Sequence, residues 1–112
     1  MSQVQCKHIL QKHNQSRNPF DRFRNKPVTR TPEEALANIE RIRSEIKTAE
    51  DFDRLALEYS ECGSAEKHGD LGMFGRGQMQ APFEEASFAL KVGEMSGIVY
   101  TDSGVHIILR TA

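Results

Sequence analysis

The chain has 112 residues, 15 Lys and Arg against 16 Asp and Glu, and 38% apolar residues with six Phe, two Tyr and no Trp. That length suits one domain spanning residues 1–112, and the near-neutral charge supplies no overall field to draw the chain to nucleic acid or to an anionic membrane. No apolar run approaches the ~20 residues that cross a bilayer, and the first residues lack the charged and apolar blocks of a signal peptide. Cys6 and Cys62 suit neither a disulfide scaffold nor a zinc site, so a cytoplasmic or nuclear protein with two free thiols is expected.

In chain order, Val4, Cys6, His8 and Leu10 alternate with Gln5, Lys7 and Gln11, which predicts a half-buried strand. Residues 1–30 hold seven basic side chains and one acidic, a net +6, whereas residues 31–62 come to −5 and residues 63–112 to −2. Most of that positive charge lies between Arg17 and Arg30, where Asn18, Pro19, Asn25 and Pro27 break any period, so the segment reads as a long basic loop. It is either a solvated or nucleic-acid-facing patch or an anion clamp beside a site. Thr31-Pro32-Glu33-Glu34 then supplies a cap, an initiating proline and a Glu three residues after the cap. The helix that follows buries Leu36, Ile39, Ile42 and Ile46 and shows Glu40, Arg41, Arg43 and Glu45 to water. Phe52, Leu55, Ala56 and Tyr59 predict a second helix ending near Cys62-Gly63. Between Gly63 and Gly77 glycines interrupt every pattern, which reads as a tight crossing. Pro82 at the first position, then Phe83, Ala86 and Leu90 with Gly93 as the stop, predict a third helix. Ile98-Val99-Tyr100 and Val105–Leu109 flank Thr101-Asp102-Ser103-Gly104 as a hairpin. The sum is an α+β domain.

Several stretches resemble the parvulin peptidyl-prolyl isomerases, and most closely their Pin-type, phosphorylation-directed subclass. They are Cys6-Lys7-His8-Ile9-Leu10-Gln11-Lys12-His13, Gly69-Asp70-Leu71-Gly72, Gly75-Arg76-Gly77-Gln78-Met79-Gln80, Pro82-Phe83-Glu84 and Thr101-Asp102-Ser103-Gly104-Val105-His106-Ile107-Ile108. The resemblance spans nearly the whole chain in the family's order and spacing. It implies the FKBP-like parvulin fold, a four-stranded antiparallel sheet surrounded by about four helices. Pin-type proteins of animals and fungi also carry a WW domain; only three residues precede the first strand here and there is no Trp, so none is expected.

Rotation about an X–Pro bond crosses ~18–20 kcal/mol because amide resonance must be surrendered, and no bond is made or broken. A catalyst should grip the proline ring in an apolar pocket and favour the twisted amide over both planar isomers. Leu71, Met79 and Phe83 match the family's proline-pocket positions, and an aliphatic, a thioether and an aromatic suit that task. His8 and His106, each central in a strand, read as buried and neutral. The resemblance places them side by side in a network with Cys62 and Thr101, and it adds Gln80 and Ser103 to the catalytic group. Cys62 with two histidines also admits a cysteine hydrolase. Against that, no oxyanion element adjoins Cys62, and some parvulins have Asp at the matching position, which points to an electrostatic role. A non-catalytic phospho-Ser/Thr-Pro reader is the other alternative. Lys12 and Arg17 match two members of the family's phosphate-binding triad, and Asn18 stands where the second Arg is usual, leaving Arg22 and Arg24 as candidates for the third cation. The expected protein is a monomeric, cofactor-free and metal-free isomerase of phosphorylated Ser/Thr-Pro segments, binding neither nucleic acid nor membrane.

Overall fold

Residues 2–112 are described by a computed structural model. The alternating segment at the N-terminus forms β1 (Gln3–Gln11), and within the basic segment two short strands, β2 (Phe20–Asp21) and β3 (Lys26–Pro27), pair with each other. Helices α1 (Pro32–Ser44) and α2 (Ala49–Tyr59) are followed by a 3-10 helix (Gly63–Lys67), β4 (Asp70–Gly75), α3 (Ala81–Ala89), β5 (Val99–Thr101) and β6 (Gly104–Arg110). The main sheet is antiparallel in the order β4-β1-β6-β5, so the first and last strands form its centre. This is the architecture that the resemblance implies, its four helices being three α-helices and the 3-10 turn.

Each face of the sheet has its own core. Ile9, Val105 and Ile107 point toward α1 and α2, where Ala35, Ile39, Ile42, Phe52 and Leu55 close the layer. Val4, Cys6 and Ile108 point the other way and pack with Phe74, Phe83 and Leu90 under α3. The register pairs His8 with Ile108 and Leu10 with His106, which puts the two imidazoles on one face as diagonal neighbours. Both long helices start on reciprocal capping boxes, Thr31 with Glu34 and Thr48 with Asp51, so each leads its charged first turn with satisfied donors.

Four local expectations change. β1 is covered on both faces from His8 onward, because α1 and α2 lie on one side and the site on the other, so its second half is fully buried rather than half-buried. The Gly-rich crossing contains a strand: β4 pairs with β1 across a register shift between Gln5 and Lys7, and this distant partner supplies the order that the local pattern lacks. The basic loop carries the β2–β3 hairpin, turned by Asn25 at φ 59°. Helix α1 stops at Ser44, leaving Ile46 packed on the core from beyond the helix, and α3 starts on Ala81, one residue before Pro82.

Two glycines hold the backbone close to β1 at the level of the histidines. Gly69 (φ +85°) and Gly104 (φ +145°) lie where an added Cβ would come within 2.3 Å of the His8 carbonyl oxygen and 2.4 Å of the Gln11 carbonyl oxygen respectively. Only glycine combines that conformation with that approach.

Candidate active site

A buried pair of imidazoles forms the floor. His8 and His106 are 5% and 3% exposed, stack with centroids 5.2 Å apart at 21°, and share an Nδ1···Nδ1 hydrogen bond of 3.0 Å. One ring must donate and the other accept, so the two tautomers are locked to each other. Thr101 Oγ1 lies 2.6 Å from His106 Nε2 and accepts from the Ser103 backbone N–H at 3.1 Å. Ser103, Thr101, His106 and His8 thus form one hydrogen-bonded chain, whose donor order follows the imidazole tautomers. Burial and the nearby His8 ring hold His106 well below the usual imidazole range, so it stays neutral through physiological pH. His8 Nε2 is buried and without a hydrogen-bond partner.

Cys62 adjoins that ring. It follows the end of α2 and caps the 3-10 helix, a position fixed by Glu61, whose backbone N–H donates to the Leu10 carbonyl while its carboxylate accepts from the Lys12 N–H and Arg30. Burial pushes the Cys62 thiol up, yet His8 and Ser64 favour the charged form strongly enough to bring it down to about 6. The group is therefore mostly thiolate at neutral pH. Cys6, by contrast, is fully buried and raised by burial, an inert core thiol; both cysteines are free.

Phe83 meets both imidazoles in T-shaped contacts, with centroids 5.4 Å from His8 and 5.2 Å from His106. Leu71 and Met79 pack half-buried against the same cluster, so the three proline-pocket candidates stand together on the α3 side of the sheet. Gln80 braces the rim: its Nε2 donates to Ser103 Oγ at 2.9 Å and its Oε1 accepts from the Asp102 N–H at 3.1 Å. Ser103 thus keeps its hydroxyl proton for a ligand.

A polar cleft of about 380 Å³ opens beside Cys62, with Lys12, Arg17, Arg22 and Ser103 on its walls and Asn18 among them. Lys12 is 5% exposed and donates through Nζ to the Phe20 carbonyl oxygen at 2.6 Å; burial lowers its pKa, the Cys62 charge opposing. Arg17 is set against the hairpin tip by its N–H to the Asp102 carbonyl at 2.8 Å. Arg24 is not in the cleft. Its guanidinium pairs with the buried Asp21 at 3.1 Å and donates to the carbonyls of Leu57, Glu58 and Ser60 at the end of α2, which leaves no donor edge for a phosphate. The structure adds Ser64, Asp21 and Glu61 to the residues that shape the site. Asp21 and Arg24 stand three apart in the sequence, a spacing that hints at a local pair, but the carbonyls to which Arg24 donates are more than thirty residues away.

Residues 8–112 match the rotamase family, described as the PPIC-type PPIase domain. The chain belongs to that family of peptidyl-prolyl isomerases. Among curated relatives, the buparvaquone-resistant peptidyl-prolyl cis-trans isomerase NIMA-interacting 1 of Theileria annulata is 52% identical over all of this chain and 82% of its own length. The isomerase Pin1 of Arabidopsis thaliana is 51% identical over 98% of this chain and 96% of its own. Of solved structures, the solution structure of TbPIN1 superposes with a TM-score of 0.87 at 42% identity over the full length of both chains. The isomerase ESS1 of Candida albicans superposes with a TM-score of 0.86 at 45% identity, over 98% of this chain and 63% of that one. The isomerase is thus of the Pin1 type.

Met79→Ala should weaken the grip on the proline ring at a cost of roughly 1–3 kcal/mol. Values of kcat/KM should fall by a similar factor for Ser-Pro, Glu-Pro and phosphorylated peptides, because the ring is common to all. A fall confined to one of these peptides would remove Met79 from the ring-binding role.

Proposed function

We propose that the isomerase acts on phosphorylated Ser/Thr-Pro segments of proteins in the cytoplasm or nucleus, as a monomer, without forming a covalent intermediate. One observation carries the reading. Among the described residues, Lys12, Arg17 and Arg22 have no carboxylate within ion-pair distance, whereas Lys7, Arg24 and Arg30 of the same basic stretch are each neutralised. Lys26 also lacks a carboxylate partner but lies outside the cleft, whereas the other three cations line it together with Glu61, Cys62 and Ser103. A phosphate of about −1.5 to −2 charges fits three cations and a hydroxyl donor. A nucleic-acid surface would want stacking aromatics among its cations, but Phe20 and Phe23 are half-buried. The Theileria relative's name, NIMA-interacting, also favours a protein as the partner.

Chemistry at the proline follows from the same arrangement. Amide resonance places negative charge on the carbonyl oxygen and double-bond character in the C–N bond. The Cys62 thiolate facing that oxygen disfavours the charge-separated form and lowers the barrier to rotation, while Phe83, Met79 and Leu71 hold the ring. His8 keeps the thiolate ionised, and its contact with His106 keeps the floor rigid; the reaction moves no proton through them. A hydrolase would need donors aimed at a tetrahedral oxyanion beside Cys62, whereas His8 and Ser64 act there by favouring the thiolate itself. Retention of this apparatus also argues against a reader that only binds.

The test is a comparison of pSer-Pro, Glu-Pro and Ser-Pro peptides of one sequence, with kcat/KM expected to fall in that order. Equal values for all three would make the chain a general Xaa-Pro isomerase. A pH profile on the Glu-Pro peptide checks the electrostatic step without interference from phosphate ionisation. As pH rises through about 6 the thiol ionises, so activity should rise between about pH 5 and 7 and then level off. In Cys62→Asp the rise should move below pH 5, toward the carboxyl's ordinary ~3.9. A flat wild-type profile from pH 5 to 8 would remove the thiolate from the reaction.

A further inference from the structure

Position 18 is Asn, with no charge to offer a phosphate, yet the cleft has a third cation from elsewhere. Arg22 lies on the wall shared by this cleft and a second one of about 570 Å³ on the far side of Cys62, and it stays exposed. Its charge is close enough to Lys12 to disfavour that ammonium. Lys26, the other exposed cation of the hairpin, lines neither cleft.

Arg22 is the first residue of the turn between β2 and β3, and an internal carboxylate shapes that turn. Asp21, with no exposed surface, accepts through Oδ1 from the N–H groups of Phe23 at 3.0 Å and Arg24 at 2.9 Å, and its carbonyl accepts from the Asn25 N–H at 2.7 Å. The other oxygen meets the Arg24 guanidinium, which reaches on to three carbonyls ending α2: Leu57 at 2.8 Å, Ser60 at 2.8 Å, and Glu58. A planar five-donor fork suits this task, and a lysine ammonium cannot span it. Ser60 lies two residues before Cys62, so the fork ties the turn to the segment that carries the thiolate. On the other side, the Phe20 carbonyl receives Lys12 Nζ.

We propose that Arg22 is the third phosphate ligand of this chain, and that Arg24 is a positioning residue that holds it over the cleft by stapling the β2–β3 turn, through Asp21, to the carbonyl end of α2. The proposal rests on the phosphate-directed reading above and replaces the missing charge at Asn18 with one from four residues further along. The phosphate does not change as the proline bond rotates, so Arg22 contributes binding that is alike in ground and transition states and acts on KM.

The experiment measures kcat/KM for pSer-Pro and Ser-Pro peptides of one sequence in the full chain. Arg22→Ala should lower the ratio of the two by roughly tenfold, carried by KM for the phosphopeptide, and Arg22→Lys should recover part of it, since one charge-assisted hydrogen bond is worth about that factor. Arg24→Lys keeps the charge opposite Asp21 and removes the fork; it should lower the same ratio in the wild-type background and leave it where Arg22→Ala has already put it in the double variant. Thermal melts of each variant show whether the domain remains folded. A phosphate preference left undiminished by Arg22→Ala overturns this inference alone. Equal losses on both peptides in Arg24→Lys reduce Arg24 to a structural staple and overturn its positioning role. A wild-type enzyme without phosphate preference overturns the phosphate-directed reading and the role of Arg22 with it.

Discussion

Replacing Lys12 by Met and Arg17 by Ala together is expected to lower kcat/KM for a pSer-Pro peptide by at least a hundredfold, while the loss on the matching Ser-Pro peptide stays within a few-fold. Each charge-assisted hydrogen bond to phosphate is worth about 1.5–3 kcal/mol, and the two side chains stand in one cleft. Met is chosen at position 12 because Lys12 is nearly buried and its stem fills space against β2. The change should appear in KM, which separates lost binding from damage to the imidazole floor, where kcat would fall on both peptides. Adding charge gives the converse. Asn18→Arg introduces a guanidinium at the cleft wall and should raise the pSer-Pro to Ser-Pro ratio in the Arg22→Ala variant more than in the wild type, where Arg22 already meets the phosphate. If neither the double replacement nor Asn18→Arg moves that ratio, the cleft is not an anion site.

The second large effect concerns Cys62. Cys62→Ala should cost one to two orders of magnitude in kcat on every proline peptide, whereas Cys62→Asp should retain most of the activity. The difference is one of charge. On the proposed mechanism the thiolate, its pKa held at about 6 with help from His8 and Ser64, and a carboxylate both present a negative atom to the carbonyl at pH 7, but the thiolate is much the better nucleophile toward an acyl group. Cys62→Ser completes the series: similar in size, uncharged, and expected to resemble Ala. An Asp variant as inactive as Ala, or a mass increase on Cys62 during turnover, would restore a nucleophilic role.

Residues in the elements differ in how far the sequence reveals them. The first strand, the Thr31 capping box and the last hairpin carry their signals locally, in alternation, spacing and turn chemistry, and they form where those signals fall. Strand β4 does not. Its glycines erase the period of two, and it becomes a strand because β1 offers an unpaired edge some sixty residues away. The site divides along the same line. His8, His106, Cys62, Met79 and Phe83 stand out by chemical type within recognisable stretches, and they converge. The cations of the basic segment look alike in sequence. What separates Arg24 from Arg22 is the burial of Asp21 and the position of the last carbonyls of α2, both products of tertiary packing. Ser64 was equally silent, since its importance lies in its approach to a sulfur whose ionisation depends on a histidine from another strand.

The most direct measurement is exchange spectroscopy by NMR on a phosphorylated Ser-Pro peptide and its unphosphorylated twin, each with a catalytic amount of the wild-type protein, followed by mass spectrometry of peptide and enzyme. Uncatalysed exchange takes tens of seconds or longer, so cross-peaks between cis and trans resonances report turnover alone. The predicted result is exchange at least tenfold faster for the phosphorylated peptide, with the masses of peptide and enzyme unchanged. Equal exchange rates for the two peptides, or an acyl adduct on Cys62, would contradict a phosphate-directed, non-covalent isomerase.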